Sequence, residues 1–135
     1  MRRHYQLQRR RGLRFTNGAL HGPTGVVVVE LLVDTGSAFS LVSPVILRAV
    51  GLDPVQTARR QRIATANGYM VAPVVSVPRL ECVGQRFEQY GVLAHAFPFG
   101  SALNGVLGMD FLERFPLQFD LDLGIIRERS TVGET

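Results

Sequence analysis

Eight residues from Val26 to Val33, apolar except for Glu30, run directly into Asp34-Thr35-Gly36-Ser37. The β-branched valines favour a strand, and near-continuous apolarity predicts one covered on both faces. A carboxylate at the mouth of such a strand is costly unless donors surround it. Gly36 lets backbone N–H groups come close to the Asp34 oxygens, and Thr35 and Ser37 add hydroxyls that donate or accept. The stretch therefore predicts one carboxylate held rigidly in a partly dry place. An ordinary strand-to-turn exit also explains Asp-Thr-Gly, so a second segment has to stand beside it.

That second segment is Val106-Leu107-Gly108-Met109-Asp110-Phe111-Leu112. In this order the two resemble the hydrophobic-hydrophobic-Asp-Thr-Gly-Ser/Ala motif of aspartic proteases and their later hydrophobic-hydrophobic-Gly element. The likeness runs from about Gly25 to Arg127 and is nearest to the single-domain, retroviral-type (retropepsin-like) enzymes and their bacterial relatives. It implies an all-β fold: a small closed β-barrel with one or two short helices, working as a C2 homodimer. By the same resemblance Asp34, Thr35 and Gly36 are catalytic, Ser37 supports the dyad, and Ala38, Phe39, Val106 and Leu107 are subsite candidates.

A length of 135 residues suits one domain, and 46% hydrophobic against 19% charged residues excludes a disordered chain. Cys82 is the single cysteine, which excludes an internal disulfide and fits a reducing, cytoplasmic setting. No apolar run approaches the ~20 residues that cross a bilayer, so no membrane partner is expected. All fifteen basic residues are arginine, and Arg2, Arg3, Arg9, Arg10, Arg11 and Arg14 precede the first acid, Glu30. Such an arm can bind nucleic acid or anionic lipid. A solvated terminus, or an edge strand using charge against aggregation, is the simpler expectation. Arg2-Arg3 begins no twin-arginine signal, because further arginines stand where an apolar stretch belongs. The turn cluster Gly22-Pro23-Thr24-Gly25 marks a boundary. It separates an arginine-rich arm over 1–22 from a protease-like domain over 23–129, with a polar tail over 130–135.

Within that domain Phe39 to Val42 reads as a short strand, and Ser43-Pro44 caps and starts a helix that Gly51 ends. Arg60 to Val77 reads as two strands joined at Asn67-Gly68. The resemblance makes this hairpin the flap over bound peptide, with Thr65, Ala66, Asn67, Gly68 and Tyr69 nearest to substrate. Val74 to Cys82 and Gln85 to Leu93 read as strands parted at Gly84, the first weakened by Pro73 and Pro78. A loop is expected over 96–101. Asp110 and Glu113 have the spacing of a capping box for a short helix through Phe115, which Pro116 ends. Leu117–Leu121 and Ile125–Arg127 read as terminal strands, and in viral relatives such segments interleave with a second copy.

Hydrolysing a peptide without a metal or a covalent nucleophile needs an activated water and an acid for the leaving group. Two close carboxylates provide both, because they cannot both ionise and so share a proton. The chain has one Asp-Thr-Gly, and Asp110 is assigned to the cap, so the partner is Asp34 of a second copy across a two-fold axis. The resemblance adds that Thr35 hydroxyls bond across that axis. Viral enzymes continue Asp-Thr-Gly-Ala-Asp and later carry Gly-Arg-Asn/Asp, whereas this chain has Ser37-Ala38-Phe39 and Gly108-Met109-Asp110. Loss of that acid and its arginine together predicts weaker tethering within each subunit and more apolar subsites. Ser37 is expected to bond the ionised dyad and lower its pKa, favouring acidic catalysis. His4, His21 and His95 show no ligand spacing with one another or with Cys82, so no metal and no cofactor is expected. The expected activity is a homodimeric aspartic endopeptidase acting on an extended peptide or protein substrate. Its rivals are a proteolytically silent dimerisation or peptide-binding module, and nucleic-acid binding through the arm.

Overall fold

Valine-rich alternation produces mostly strands in the computed structural model, which describes residues 3–97 and 103–128. Strand β3 (Leu13–Gly22) pairs antiparallel with β4 (Gly25–Val33), in register from Phe15↔Leu32 to Gly22↔Gly25. The end of β4 runs parallel to β9 (Gly105–Leu107), which pairs antiparallel with β5 (Leu41–Val42). From β5 the sheet passes to β8 (Gln85–Ala94), then to β7 (Gly68–Cys82), and β7 returns to β3. Six strands thus close a barrel. β6 (Arg60–Thr65) lies outside that ring as an edge strand on β7, and β2 (Gln8–Arg10) is the edge strand beyond β3. A separate sheet sets β11 (Ile125–Glu128) between β1 (His4–Gln6) and β10 (Leu117–Asp120). Helices α1 (Pro44–Ala49) and α2 (Met109–Leu112) cover the barrel. Leu20, Leu31, Leu47, Leu80, Leu107 and Phe111 are fully buried in one core. Burying such a side chain contributes about 1.5–3 kcal/mol each. Among the described residues no helix is long and apolar enough to cross a membrane.

Several expectations need correcting. Residues 4–22 are not an arm outside the domain, because Leu7, Phe15 and Leu20 are buried in it. Arg3, Arg9, Arg10 and Arg11 are exposed, and Arg14 is half-buried. Arg10 pairs with Glu30 and lies over the Phe15 ring, and Arg3 pairs with Glu128 at 2.9 Å. The expected boundary at Gly22–Gly25 is a hairpin turn docked on α1, with Thr24 N–H donating to Val50 O at 3.1 Å. β4 is not covered on both faces either. Val29 and Leu31 are buried, yet Val26 and Val28 are 57% and 70% exposed, since no described element packs over that side of the hairpin. β7 runs unbroken through both prolines: Pro73 pairs with the edge strand, and Pro78, which lacks an N–H, stands opposite Gln89 (φ 50°), where the β7–β8 ladder omits one pair and keeps its register. The tight turn between β6 and β7 is Ala66-Asn67, one residue earlier than expected, and Gly68 (φ 123°) is already paired with Thr65. The tail over 130–135 and most of the loop expected over 96–101 lie outside the described residues.

Candidate active site

Asp34 emerges directly from β4, and its N–H extends the β9 ladder by donating to Leu107 O at 3.0 Å. The chain then turns tightly, with Ser37 N–H donating to Asp34 O at 3.2 Å. Gly36 N–H donates to Asp34 Oδ1 at 2.9 Å. A Cβ on Gly36 would stand 3.2 Å from that oxygen, so a glycine gives the amide its close approach. The Asp34 carboxylate is half-buried, while Thr35 and Gly36 are exposed.

A second segment passes beneath this loop and fixes it. Met109 N–H donates to Ser37 O at 2.8 Å and Asp110 N–H to Ala38 O at 3.2 Å. At Gly108 the two chains nearly touch, for a Cβ there would lie 2.5 Å from Phe39 O and 2.9 Å from Ser37 O. Buried Ser40 joins them again. Its hydroxyl donates to Asp110 Oδ1 at 2.8 Å and accepts from Gly108 N–H and Tyr90 O–H, both at 2.9 Å. Its own N–H donates to Asp110 Oδ2 at 3.0 Å. Every polar group of Ser40's side chain is thereby spent inside the barrel wall, where an unmet one is costly. Burial pushes the Tyr90 hydroxyl well above the ordinary tyrosine range, and the Asp110 charge adds to this despite the Ser40 bond, so Tyr90 remains a donor.

This network corrects the role expected of Asp110. The N-cap of α2 is Gly108, and the Asp110 carboxylate reaches across to Ser40 instead of capping its own helix. The loop is consequently tethered within the subunit by serine and tyrosine hydroxyls, not loosened by the missing acid and arginine. Ser37 also behaves differently from expectation: its hydroxyl donates to Phe39 O at 2.7 Å, so its single proton is committed there and not to Asp34. Ser43 makes no side-chain cap on α1.

A cleft of about 460 Å³ opens between the Asp34 loop and β6. Asp34, Gly36, Ser37, Ala38, Phe39 and Leu41 form one wall, as expected for Ala38 and Phe39. The other wall is Arg62, Ile63 and Ala64. Thr65, Ala66, Asn67, Gly68 and Tyr69 are exposed and lie off this wall, because the hairpin presents its first strand, not its turn, to the loop. Ile63 and Met70 pack with Phe39 and Leu41 against buried Ala72, Val74 and Leu93, which sets that orientation. Val106 and Leu107 are buried and do not line the cleft, since β9 is an interior strand beneath the loop. What Leu107 supplies is its carbonyl, to Asp34 N–H.

No described carboxylate hydrogen-bonds to Asp34. Asp110 is held by Ser40, Asp120 pairs with Arg127 at 2.9 Å, and Glu30 pairs with Arg10. Among the described residues no three His, Cys, Asp or Glu side chains converge as a metal site would require. Ser40, Tyr90 and Arg62 are the site residues that sequence reading misses. Ser40 leaves a trace, being the one hydroxyl inside the apolar run Phe39–Val42, whereas nothing local marks Tyr90.

The family described as gag-polyprotein putative aspartyl protease matches residues 24–114, a span that holds both the Asp34 loop and α2. The chain is similar in fold to a retropepsin-like aspartic protease from Rickettsia conorii, known from a crystal structure. The TM-score is 0.73 at 22% identity, over 95% of this chain and 92% of that one. Among curated proteins none matches.

Proposed function

Because the chain belongs to this family of gag-polyprotein aspartyl proteases, we propose that it is an aspartic endopeptidase whose active centre is completed by a second copy of itself. The observation that carries the reading is Asp34. It stands at a peptide-sized cleft, aligned by Gly36 N–H, with no carboxylate among the described residues bonded to it. A two-fold axis beside the exposed Thr35-Gly36 turn brings Asp34 and its copy together. The pair then holds one proton between two carboxylates and titrates as a unit. The ionised member takes a proton from water as the water oxygen attacks the peptide carbonyl. Its protonated partner gives a proton to the carbonyl oxygen, and the amine leaves after receiving a proton in turn. The β6–β7 hairpin serves as the flap, with its first strand against the peptide.

Two features support a copy at this face. Thr35 shares a cavity of about 320 Å³ with apolar Leu7, Val33 and Phe119. Beside it the β10–β11 turn leaves Leu121 and Leu123 71% and 61% exposed, as a patch awaiting cover. β11 already has a strand of its own chain on each side, so the copies meet through this face without interleaving β11.

Incubating the purified chain with a peptide library, beside Asp34→Asn, tests the reading. The wild type should cleave with a specific activity that rises with protein concentration, as a dimeric centre demands. Asp34→Asn should lose at least about a thousandfold. A demonstrated dimer that cuts nothing favours a silent peptide-binding module, and cleavage surviving in Asp34→Asn requires different chemistry.

A further inference from the structure

From residue 54 to 80 the chain carries four arginines and no acid. Their surroundings differ. Arg79 pairs with Glu88 at 3.4 Å, and Arg60 donates to the carbonyls of Thr57 and Arg59 at 2.8 and 3.1 Å. Arg62 pairs with no described acid, yet it is the one cation on the cleft wall among the described residues. Its guanidinium lies over the Tyr69 ring, 4.3 Å from the centroid. Stacking of this kind restrains the side chain while leaving its N–H fork free for a carboxylate. Ile63 follows it on β6, and Phe39 and Leu41 line the facing wall, so the cleft is apolar on both sides of this cation.

We infer that this cleft selects peptides carrying an acidic side chain next to an apolar one, with Arg62 as the residue that reads the acid. The inference rests on the protease reading and names its substrate class. An apolar side chain settles on Phe39, Leu41 and Ile63, while a neighbouring Glu or Asp accepts the free donors of Arg62. A lysine at the same place meets like charge, and a glutamine gains only a neutral hydrogen bond. Arg62 is exposed, so salt screens the preference and keeps it moderate. It is a specificity determinant and takes no part in the proton transfers themselves.

The test measures affinity apart from turnover. A series of peptides with a reduced, uncleavable central bond between Phe and Leu carries Glu, Gln or Lys at each flanking position in turn. Their binding to the full-length chain is measured at low and high salt, in the wild type, Arg62→Lys and Arg62→Glu. At one flanking position the Glu peptide should bind the wild type roughly three- to fivefold tighter than its Gln twin. It should lead the Lys peptide by more, and both margins should shrink with salt. Arg62→Glu should reverse the order, and Arg62→Lys should keep the order with a smaller margin. Equal binding of the Glu and Gln peptides overturns the inference, as does an order that survives Arg62→Glu, or no binding by any peptide. Should Glu peptides bind best while cleavable versions are never cut, the acid preference stands and the protease reading falls.

Discussion

The Asp34 loop and strand β6 border the same cleft, yet the loop and the far end of the β6–β7 hairpin are held in opposite ways. The loop is locked to the segment from Leu107 to Asp110 by backbone bonds at Asp34, Met109 and Asp110, and by the saturated Ser40 hydroxyl. Past Ile63 and Met70 the hairpin has only its own ladder, an exposed Thr65 Oγ1 donation to Gly68 O at 3.2 Å, and the stack of Arg62 on Tyr69. The function proposed above would require this division. A carboxylate that must meet its copy at hydrogen-bond range needs a fixed position before substrate arrives. A cover that admits and releases a peptide has to be drawn from the least stable part of the fold.

The sharpest way to break this contrast is a methyl group at a glycine on each side. Gly108→Ala drives a Cβ into Phe39 and Ser37 backbone, and should cost about 3 kcal/mol or more, read as a fall in thermal midpoint. Gly68→Ala meets no atom within 4 Å and pays only for its left-handed φ, so about 1–2 kcal/mol is expected. Equal losses at the two sites would remove the distinction. A gentler comparison sets two hydroxyls side by side. Ser40→Ala leaves Asp110 Oδ1 and the donors of Gly108 and Tyr90 without partners, while the backbone N–H still holds Oδ2, at about 2–3 kcal/mol in urea unfolding. Thr65→Ala should stay within about 0.5 kcal/mol.

The smallest effect is a slope. Burial raises the Cys82 thiol from 9.0 to about 12 and raises Tyr90 as well. The native state keeps protons that the unfolded chain releases, so this contribution is whole below pH 9.0 and is lost as pH climbs towards about 12. Alkali therefore weakens the barrel that carries the Asp34 loop. Stability measured against pH should decline less steeply over that window in Cys82→Ala with Tyr90→Phe, and an unchanged slope would place the titrating groups elsewhere.

Much of the barrel and the centre of the site were legible in the chain itself. Asp34-Thr35-Gly36 and Gly108 carry their roles locally: one ends a valine-rich strand, the others remove side chains where backbones must nearly touch. The terminal strands and both short helices also follow from alternation, prolines and glycines close by. The arginine-rich start hides its strands, because their burial rests on a few apolar residues, Leu7, Phe15 and Leu20, scattered among and beyond the charges.

Sequence alone determined most strands from Gly25 onward, where the carboxylate sits and that only one such motif is present, since these depend on a residue and its near neighbours. Tertiary structure decided what Asp110 binds, 70 residues from Ser40, what Tyr90 donates to, 50 residues away, and which strand of the hairpin faces the cleft. Alternation along a strand says which side chains share a face. It does not say what covers that face or which distant donor meets a buried acceptor, because those partners exist only once the barrel has closed.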